Sequence, residues 1–376
     1  MKSWIDQLKS TRFISTAISP KPWYLILYVT SHCNQRCNMC FAWEMLNTLK
    51  KSEEWSLEEI EKIAGQFSGL YQLSLTGGEP TLRKDLPEII EIFYRISKVQ
   101  RITVPTNGFY PDRIESLIVR VMESCPGLIL SINMSLDGVG EVHDEIRGLK
   151  NSFANLVESY KVVRKLQEKY ENLHVATASV VTMSNKDTIK DLLYWVRDNM
   201  DIGNHGLMLA RGDVKSEEGA GTSDDFFINM LKFHRELSKT GSRIRDAVAD
   251  EYTQTRIDTL TDKKMRDPCK AGKKLVIIDE KGNVLPCEIL KVLAAKGLTD
   301  APELGDFSYG NIREANFDLD SLLNSERGKK ITQFISDDRC WCTFECAQIN
   351  NFALNPGAYL RTLARVVTGR QLDSQV

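Results

Sequence analysis

No stretch of this 376-residue chain approaches 18 consecutive apolar residues, so no segment has the length needed to cross a bilayer as a helix. The opening 22 residues carry Lys2, Lys9, Arg12 and Lys21 without a continuous apolar run, and no export signal is expected there. Charge of one sign is not massed anywhere: 49 Lys and Arg are spread among 51 Asp and Glu, for a net charge of -2. That balance gives no global electrostatic reason to bind nucleic acid or an anionic membrane. Internal repeats and low-complexity tracts are also missing. These absences lead to the expectation of a cytoplasmic protein with no nucleic-acid partner and no membrane contact. What is present is an ordinary globular composition, 42% hydrophobic and 27% charged, with enough length for one large core and a smaller appended unit.

Nine cysteines are frequent for such a chain, and in a reducing compartment they point to metal ligation rather than disulfides. Three lie in Cys33-Asn34-Gln35-Arg36-Cys37-Asn38-Met39-Cys40, directly after the apolar run 23–29. Three thiolates at this spacing can hold a four-iron cluster while leaving one iron without a protein ligand, free to bind substrate or cofactor. Zinc fits this group poorly, because neither a fourth cysteine nor a well-spaced histidine completes its shell. His32 is read as ordering the loop. Five more cysteines fall at 269, 287, 340, 342 and 346, and Cys125 stands alone among apolar residues as a packing residue.

Hydrophobic periodicity organises the first two-thirds. Strands are expected at 23–29, 71–75, 101–105, 127–134, 174–181 and 206–210, with helices near 56–68, 84–98, 111–124, 152–168 and 185–199. The first helix opens on a capping box of Ser56 and Glu59. Six βα units of this kind imply a parallel sheet and suit a partial (β/α)6 barrel of the α/β class. Polar or Gly-rich turns follow the strands: the cysteine loop, Thr76-Gly77-Gly78-Glu79-Pro80, Thr106-Asn107-Gly108, Ser135-Leu136-Asp137-Gly138, and Thr182 with Asn185. Barrel sites lie at the C-terminal strand ends, so these motifs are expected on one face. Residues 211–225 read as a loop, followed by a helical segment near 226–239. A hairpin of 276–279 and 283–287 around Lys281-Gly282 would bring Cys287 near Cys269. A helical segment at 318–336 precedes the last cysteines. The resulting division is an extension at 1–22, a core at 23–215, a linking segment at 216–261, a small α+β unit at 262–350 and a tail from 351. Tyr359, Leu360, Leu363, Val366 and Val367, interleaved with Arg361, Arg365 and Arg370, make that tail a packed amphipathic helix in expectation, with a lipid-facing role as the alternative.

The C-x3-C-x2-C loop, the Gly-Gly-Glu-Pro turn and the run Ser135-Leu136-Asp137-Gly138…His143-Asp144-Glu145-Ile146-Arg147-Gly148 together resemble the radical S-adenosylmethionine enzymes over residues 23 to about 215. The later part, with Cys269, Gly282-x4-Cys287, Gly310-Asn311-Ile312 and the last cysteines, resembles SPASM and twitch extensions that bind auxiliary iron–sulfur clusters. The resemblance implies that Cys33, Cys37 and Cys40 hold a [4Fe–4S] cluster. It further implies that S-adenosylmethionine fills the open iron and is cleaved reductively to a 5′-deoxyadenosyl radical, which takes hydrogen from a substrate C–H bond. Gly77 and Gly78 would let the backbone approach this cofactor, and Glu79 would face its ammonium. Asn107 and Ser135 would lie beside its ribose or methionine part, and Arg147 would pair with its carboxylate. For Arg147 an ion pair with Asp144 or Glu145 is the alternative. Met39 and Phe41 flank Cys40 where many relatives have an aromatic before the third cysteine; either could cover the adenine or fill core space.

Five late cysteines imply one auxiliary [4Fe–4S] cluster rather than the two of a full SPASM domain. Cys269 and Cys287 supply two ligands, two more come from Cys340, Cys342 and Cys346, and a zinc site is the alternative. Full ligation would suit an electron relay; an open position would suit substrate anchoring. An external reductant such as flavodoxin or ferredoxin is implied. With only 32 residues before Cys33, too few for a leader-recognition domain, a small metabolite, sugar or lipid-like substrate is favoured over a ribosomal peptide or protein. A non-catalytic iron–sulfur electron carrier is a third reading.

Overall fold

The computed structural model describes residues 19–297 and 299–372; the first 18 positions of the expected extension lie outside them. Six parallel strands follow one another in sequence and in space: β1 (Tyr24–Thr30), β2 (Gln72–Gly77), β3 (Arg101–Thr106), β4 (Ile129–Ser135), β5 (Leu173–Val181) and β6 (His205–Leu209). Every residue of β1 is buried, as a central parallel strand requires when both faces are covered. Helices Leu57–Gln66, Leu86–Ile96, Pro111–Ser124, Ser152–Leu166 and Ile189–Asn199 intervene. The helix Leu86–Ile96 shows why: Leu86, Ile89, Ile90 and Phe93 recur at three- and four-residue spacing and are all buried. Leu57–Gln66 has the expected capping box, with Glu59 N–H donating to Ser56 Oγ at 3.2 Å and Ser56 N–H to Glu59 Oε2 at 2.9 Å.

Beyond β1 the sheet continues. Strand β7 (Leu275–Ile278) pairs in parallel with the other edge of β1, from Tyr24 opposite Leu275 to Leu27 opposite Ile278. Strands β8 (Asn283–Leu285) and β9 (Gly310–Asn311) add antiparallel, giving the order β6-β5-β4-β3-β2-β1-β7-β8-β9. The expected hairpin is therefore hydrogen-bonded into the same sheet, and its cysteines are carried by the strand edge that an incomplete barrel leaves open. Asp279 Oδ1 fixes its turn, accepting the N–H groups of Lys281 (3.0 Å) and Asn283 (2.8 Å).

Several C-terminal helices depart from expectation. The segment expected at 318–336 is two helices, Leu319–Asn324 and Glu326–Ser336, broken at Ser325, whose hydroxyl caps the second by accepting from Gly328 N–H at 2.9 Å. Helix Arg243–Asp262, the longest in the chain among the described residues, has no apolar stripe, because its inward side carries charge. Buried Asp250 binds Arg235 at 2.7 Å, and buried Glu251 binds Arg361 at 2.6 Å and Arg365 at 2.7 Å. The tail is a helix, Pro356–Thr368, packed through these arginines and through Ala358, which is buried against Val248 and Phe352, while its larger apolar residues face outward. Cys125 is fully buried, as expected of a packing residue. No helix of the described residues is long and apolar enough to cross a membrane.

Candidate active site

The first cysteine loop is held from several strand ends at once. Arg36 N–H donates to the Arg147 carbonyl and Asn38 N–H to that of Ile146, both at 3.1 Å, tying the loop to helix Glu141–Arg147. Asn107, after β3, donates through Nδ2 to Asn34 Oδ1 at 2.8 Å, and Asn38 Nδ2 donates to Ser184 Oγ at 2.7 Å. Gly78 and Glu79 donate their N–H groups to the carbonyls of Thr30 (2.8 Å) and His32 (2.7 Å). A Cβ on Gly77 would stand 2.1 Å from the Thr30 carbonyl oxygen, and one on Gly78 2.2 Å from that of His32. Both glycines are thus required where two protein backbones touch, a constraint set by the fold before any cofactor enters. His32 orders the loop, its Nδ1 lying 3.1 Å from Glu54 Oε1.

Glu79 has a role that its motif did not suggest. Its carboxylate is buried, and both oxygens are engaged by protein. Oε1 accepts from Thr81 N–H (3.1 Å), Thr81 Oγ1 (2.6 Å) and Thr106 Oγ1 (2.7 Å), and Oε2 from Asn107 N–H (2.7 Å). Burial raises its pKa, and these donors act in the opposite direction. The side chain expected at an ammonium thus clasps the β2 and β3 turns together. Ser135 ends β4 opposite Ala178 of β5. Arg147 is paired with neither Asp144 nor Glu145. Its Nη2 meets the buried Asp137 carboxylate, and Nη1 donates to Cys37 Sγ at 3.6 Å. Burial works against this guanidinium charge, yet Asp137 and Cys37 prevail and its pKa lies above the ordinary arginine value. Asp137 Oδ1 also accepts Val180 N–H at 2.7 Å, so the Ser-Leu-Asp-Gly turn locates Arg147 beside the cysteine loop.

Burial pushes the Cys33 thiol up to about 12 and the Cys40 thiol up to about 11; Glu79, Cys37 and Cys40 add to the first shift and Cys37 to the second. Met39 is buried, whereas Phe41 is exposed at 37%.

The five late cysteines separate into four and one. Cys269, Cys287, Cys340 and Cys342 line a single apolar cavity with Met265, Leu290 and Leu293. After burial, Cys269 and Cys340 are the main groups pushing Cys287 up to about 12. Cys346 is turned towards β1: the Tyr24 hydroxyl hydrogen-bonds it, and burial then Glu288 push it up to about 12. No three Cys, His, Asp or Glu side chains among the described residues are set for a single ion.

Between the two cysteine groups lies Arg211, just beyond β6, which sequence reasoning placed only in a loop. Its Nη1 donates to Glu345 Oε2 at 2.6 Å and Nη2 to Glu288 Oε2 at 3.3 Å. Its guanidinium lies 5.7 Å from the Phe41 ring centroid and 4.8 Å from that of Phe344. Glu288 also accepts from the Tyr28 hydroxyl at 2.7 Å. Phe41, Glu288 and Glu345 adjoin Cys40, Cys287 and Cys346 in sequence, so this one cation ties three cysteine-bearing segments together. A broad depression lined by Tyr160, Arg164, His174 and Asp201 lies at the opposite strand ends and contains none of these groups.

Residues 27–196 match the family model of the radical SAM superfamily. The GTP 3′,8-cyclase of Mannheimia succiniciproducens is 32% identical over 171 residues, covering 42% of this chain and 49% of that protein. The sporulation killing factor maturation protein SkfB of Bacillus subtilis is 28% identical over 269 residues, 70% of this chain and 59% of its own. This chain thus spans about half the length of the curated cyclases that it matches. Among solved structures, native anSMEcpe with bound AdoMet superposes with a TM-score of 0.57 at 14% identity, covering 93% of this chain and 99% of that one. Streptococcus suis SuiB bound to the precursor peptide SuiA gives 0.56 at 17% identity, covering 86% and 69%. These structural likenesses show a shared fold, and the family match begins within β1 and encloses the whole of the first cysteine loop together with the strand ends that anchor it: residues 27–196, a little under half of the chain, carry a radical SAM superfamily domain.

Proposed function

We propose that this chain is an enzyme that cleaves S-adenosylmethionine reductively and takes hydrogen from a C–H bond of a peptide or protein substrate. The extent of the SkfB match carries the substrate class, since it runs over 70% of the chain, whereas the cyclase matches cover 39–48%. The fold shared with SuiB in complex with a precursor peptide supports it. This reading replaces the small-metabolite preference, which rested on the shortness of the segment before Cys33.

Cys33, Cys37 and Cys40 would hold a [4Fe–4S] cluster, which supplies an electron and an open coordination position when bound. Arg147 places a positive charge beside the Cys37 sulfur, offsetting thiolate charge there. Glu79 and Asn107 hold the Gly77-Gly78 turn against the loop, so the backbone edge stays fixed when cofactor arrives. Ser135, at the end of β4, would border the same cofactor site. Cys269, Cys287, Cys340 and Cys342 would hold the auxiliary cluster. Four thiolates leave it no open iron, so it would act as an electron relay and not as a substrate anchor. Flavodoxin or ferredoxin would be the reductant.

The test is anaerobic. Reconstituted protein, dithionite and S-adenosylmethionine are combined with peptides translated from neighbouring reading frames, or with nucleoside triphosphates. A peptide should raise 5′-deoxyadenosine release and emerge with an altered mass. Stimulation and turnover by a nucleotide alone would restore the small-molecule reading, and no release under any condition would favour a non-catalytic carrier.

A further inference from the structure

Helix Pro356–Thr368 is mounted with its polar side inward. Arg361 and Arg365 face the protein, where Glu251 and Asp267, both buried, bind them at 2.6 to 2.7 Å. The opposite side presents Leu360 at 69% exposure, Leu363 at 57% and Val367 at 69%. Positions i, i+3 and i+7 form one stripe, and the helix contains no Asp or Glu. A surface helix ordinarily buries such a stripe and exposes its arginines. Here ion pairs attach the helix, and its apolar side is left free to meet something else.

Its surroundings indicate the partner. Arg243, at the start of the adjoining helix, reaches the Val367 carbonyl at 3.0 Å. This contact sets Ile244, 57% exposed, and Arg245 at the same end of the stripe as Arg370. Nearby carboxylates are already engaged: Asp246 and Asp250 by Arg235, Glu251 by Arg361 and Arg365, and Glu236 by Lys239. The result is an apolar ridge whose end carries exposed Arg243, Arg245 and Arg370 with no free acid beside them among these groups. Apolar side chains flanked by arginines that have no carboxylate partner among the described residues match the chemistry of an anionic lipid surface, in which the ridge enters the headgroup boundary while the guanidinium groups meet phosphates. A protein partner of ordinary surface composition would not call for such a one-signed rim.

We propose that this face docks the protein on anionic membrane, a peripheral contact that the near-neutral net charge of the whole chain conceals. The reading is independent of the substrate proposed above. Its test is flotation of the reconstituted full chain with vesicles of phosphatidylcholine alone or mixed with phosphatidylglycerol. The protein should float with the mixed vesicles and much less with the neutral ones, and salt should weaken the association. Leu360→Ser/Leu363→Ser should lower the bound fraction about tenfold with circular dichroism and iron content unchanged, because both side chains are on the surface. Arg245→Glu/Arg370→Glu should lower it on mixed vesicles only. Failure of the parent to float, equal binding to both vesicle types, or parental binding by the leucine variant would overturn the proposal. So would a lipid-free dimer that the leucine variant converts to monomer, since the stripe would then be an interface between copies.

Discussion

Replacing Glu79 by Ala separates two roles for that carboxylate. As the ammonium partner its motif suggests, its loss would weaken cofactor binding and leave folding nearly intact. As the clasp seen between the β2 and β3 turns, its loss strands two backbone N–H groups and two threonine hydroxyls in a buried place. Buried donors left unpaired cost about 1–3 kcal/mol each, and hydroxyls can rotate towards other acceptors, so the two N–H groups set the scale. Relief from burying a charge offsets part of this, which leaves a net loss of about 3 kcal/mol. With a urea slope of about 3 kcal/mol/M, the unfolding midpoint should fall by about 1 M. Glu79→Gln, which keeps one acceptor, should lose about half as much. Urea titrations without S-adenosylmethionine, set beside cofactor-binding isotherms, provide the assay. An unchanged midpoint in Glu79→Ala with a collapse in cofactor affinity would refute the clasp. Protonation adds a sign. Burial holds this carboxyl above its ordinary value of 4.5, so the folded state binds the proton more readily than the unfolded one. The contribution of Glu79 to stability should therefore decline as pH rises from 4.5 through the folded value, a slope that Glu79→Gln should lack.

Iron content tests the cysteine assignment: the parent should bind about eight irons, the double variant Cys269→Ala/Cys342→Ala about four, and Cys346→Ala still about eight. Loss of about four irons in Cys346→Ala would bring that thiol into the ligand set. Gly78→Ala should displace the first cysteine loop, because its Cβ would meet the His32 backbone at 2.2 Å; about four irons should remain, and 5′-deoxyadenosine release should vanish. Burial holds His143 and His205 well below 6.5 and lowers His234 to about 4. The unfolded chain takes up protons on these groups below pH 6.5 and the folded chain does not, so stability should fall as pH drops from 6.5 towards 4. Each contributes up to about 1.4 kcal/mol per pH unit, and His234→Gln should flatten the slope measured by urea titration at successive pH values.

The barrel was legible because its elements are built on apolar periodicity. All six parallel strands and the five helices expected between them lie within a few residues of their places, and Ser56 with Glu59 marked a helix start through a local hydrogen-bond pattern that needs no tertiary partner. The opposite held for Arg243–Asp262. Its inward side carries Asp250, Glu251 and Arg256, whose partners Arg235, Arg361, Arg365 and Glu345 lie elsewhere in the chain. Buried ion pairs remove the hydrophobic stripe by which a helix is read, and they invert the tail helix for the same reason: arginines that would ordinarily face water are drawn inward to Glu251 and Asp267. Pairing of β7 with β1 was also hidden, since no local pattern states which edge of a sheet a distant strand will join.

In the site, residue types were legible and directions were not. The spacing of Cys340, Cys342 and Cys346 leaves open which thiol faces away, and the answer lies in where a helix begins. Cys340 and Cys342 precede helix Glu345–Leu354, outside any helix or strand, and line one cavity with Cys269 and Cys287. Cys346 lies within its first turn, where helical geometry carries the thiol towards Tyr24 and sets Glu345 against Arg211. Phe344 occupies the N-cap and makes no side-chain capping bond, so the start carries none of the Ser, Thr, Asp or Asn signal by which it could have been found. One unmarked helix start therefore sets the direction of the Cys346 side chain and the partner of Arg211 together. Those two groups meet between the cysteine sites, and the sequence separation of Arg211 from Glu345 left nothing local to announce it.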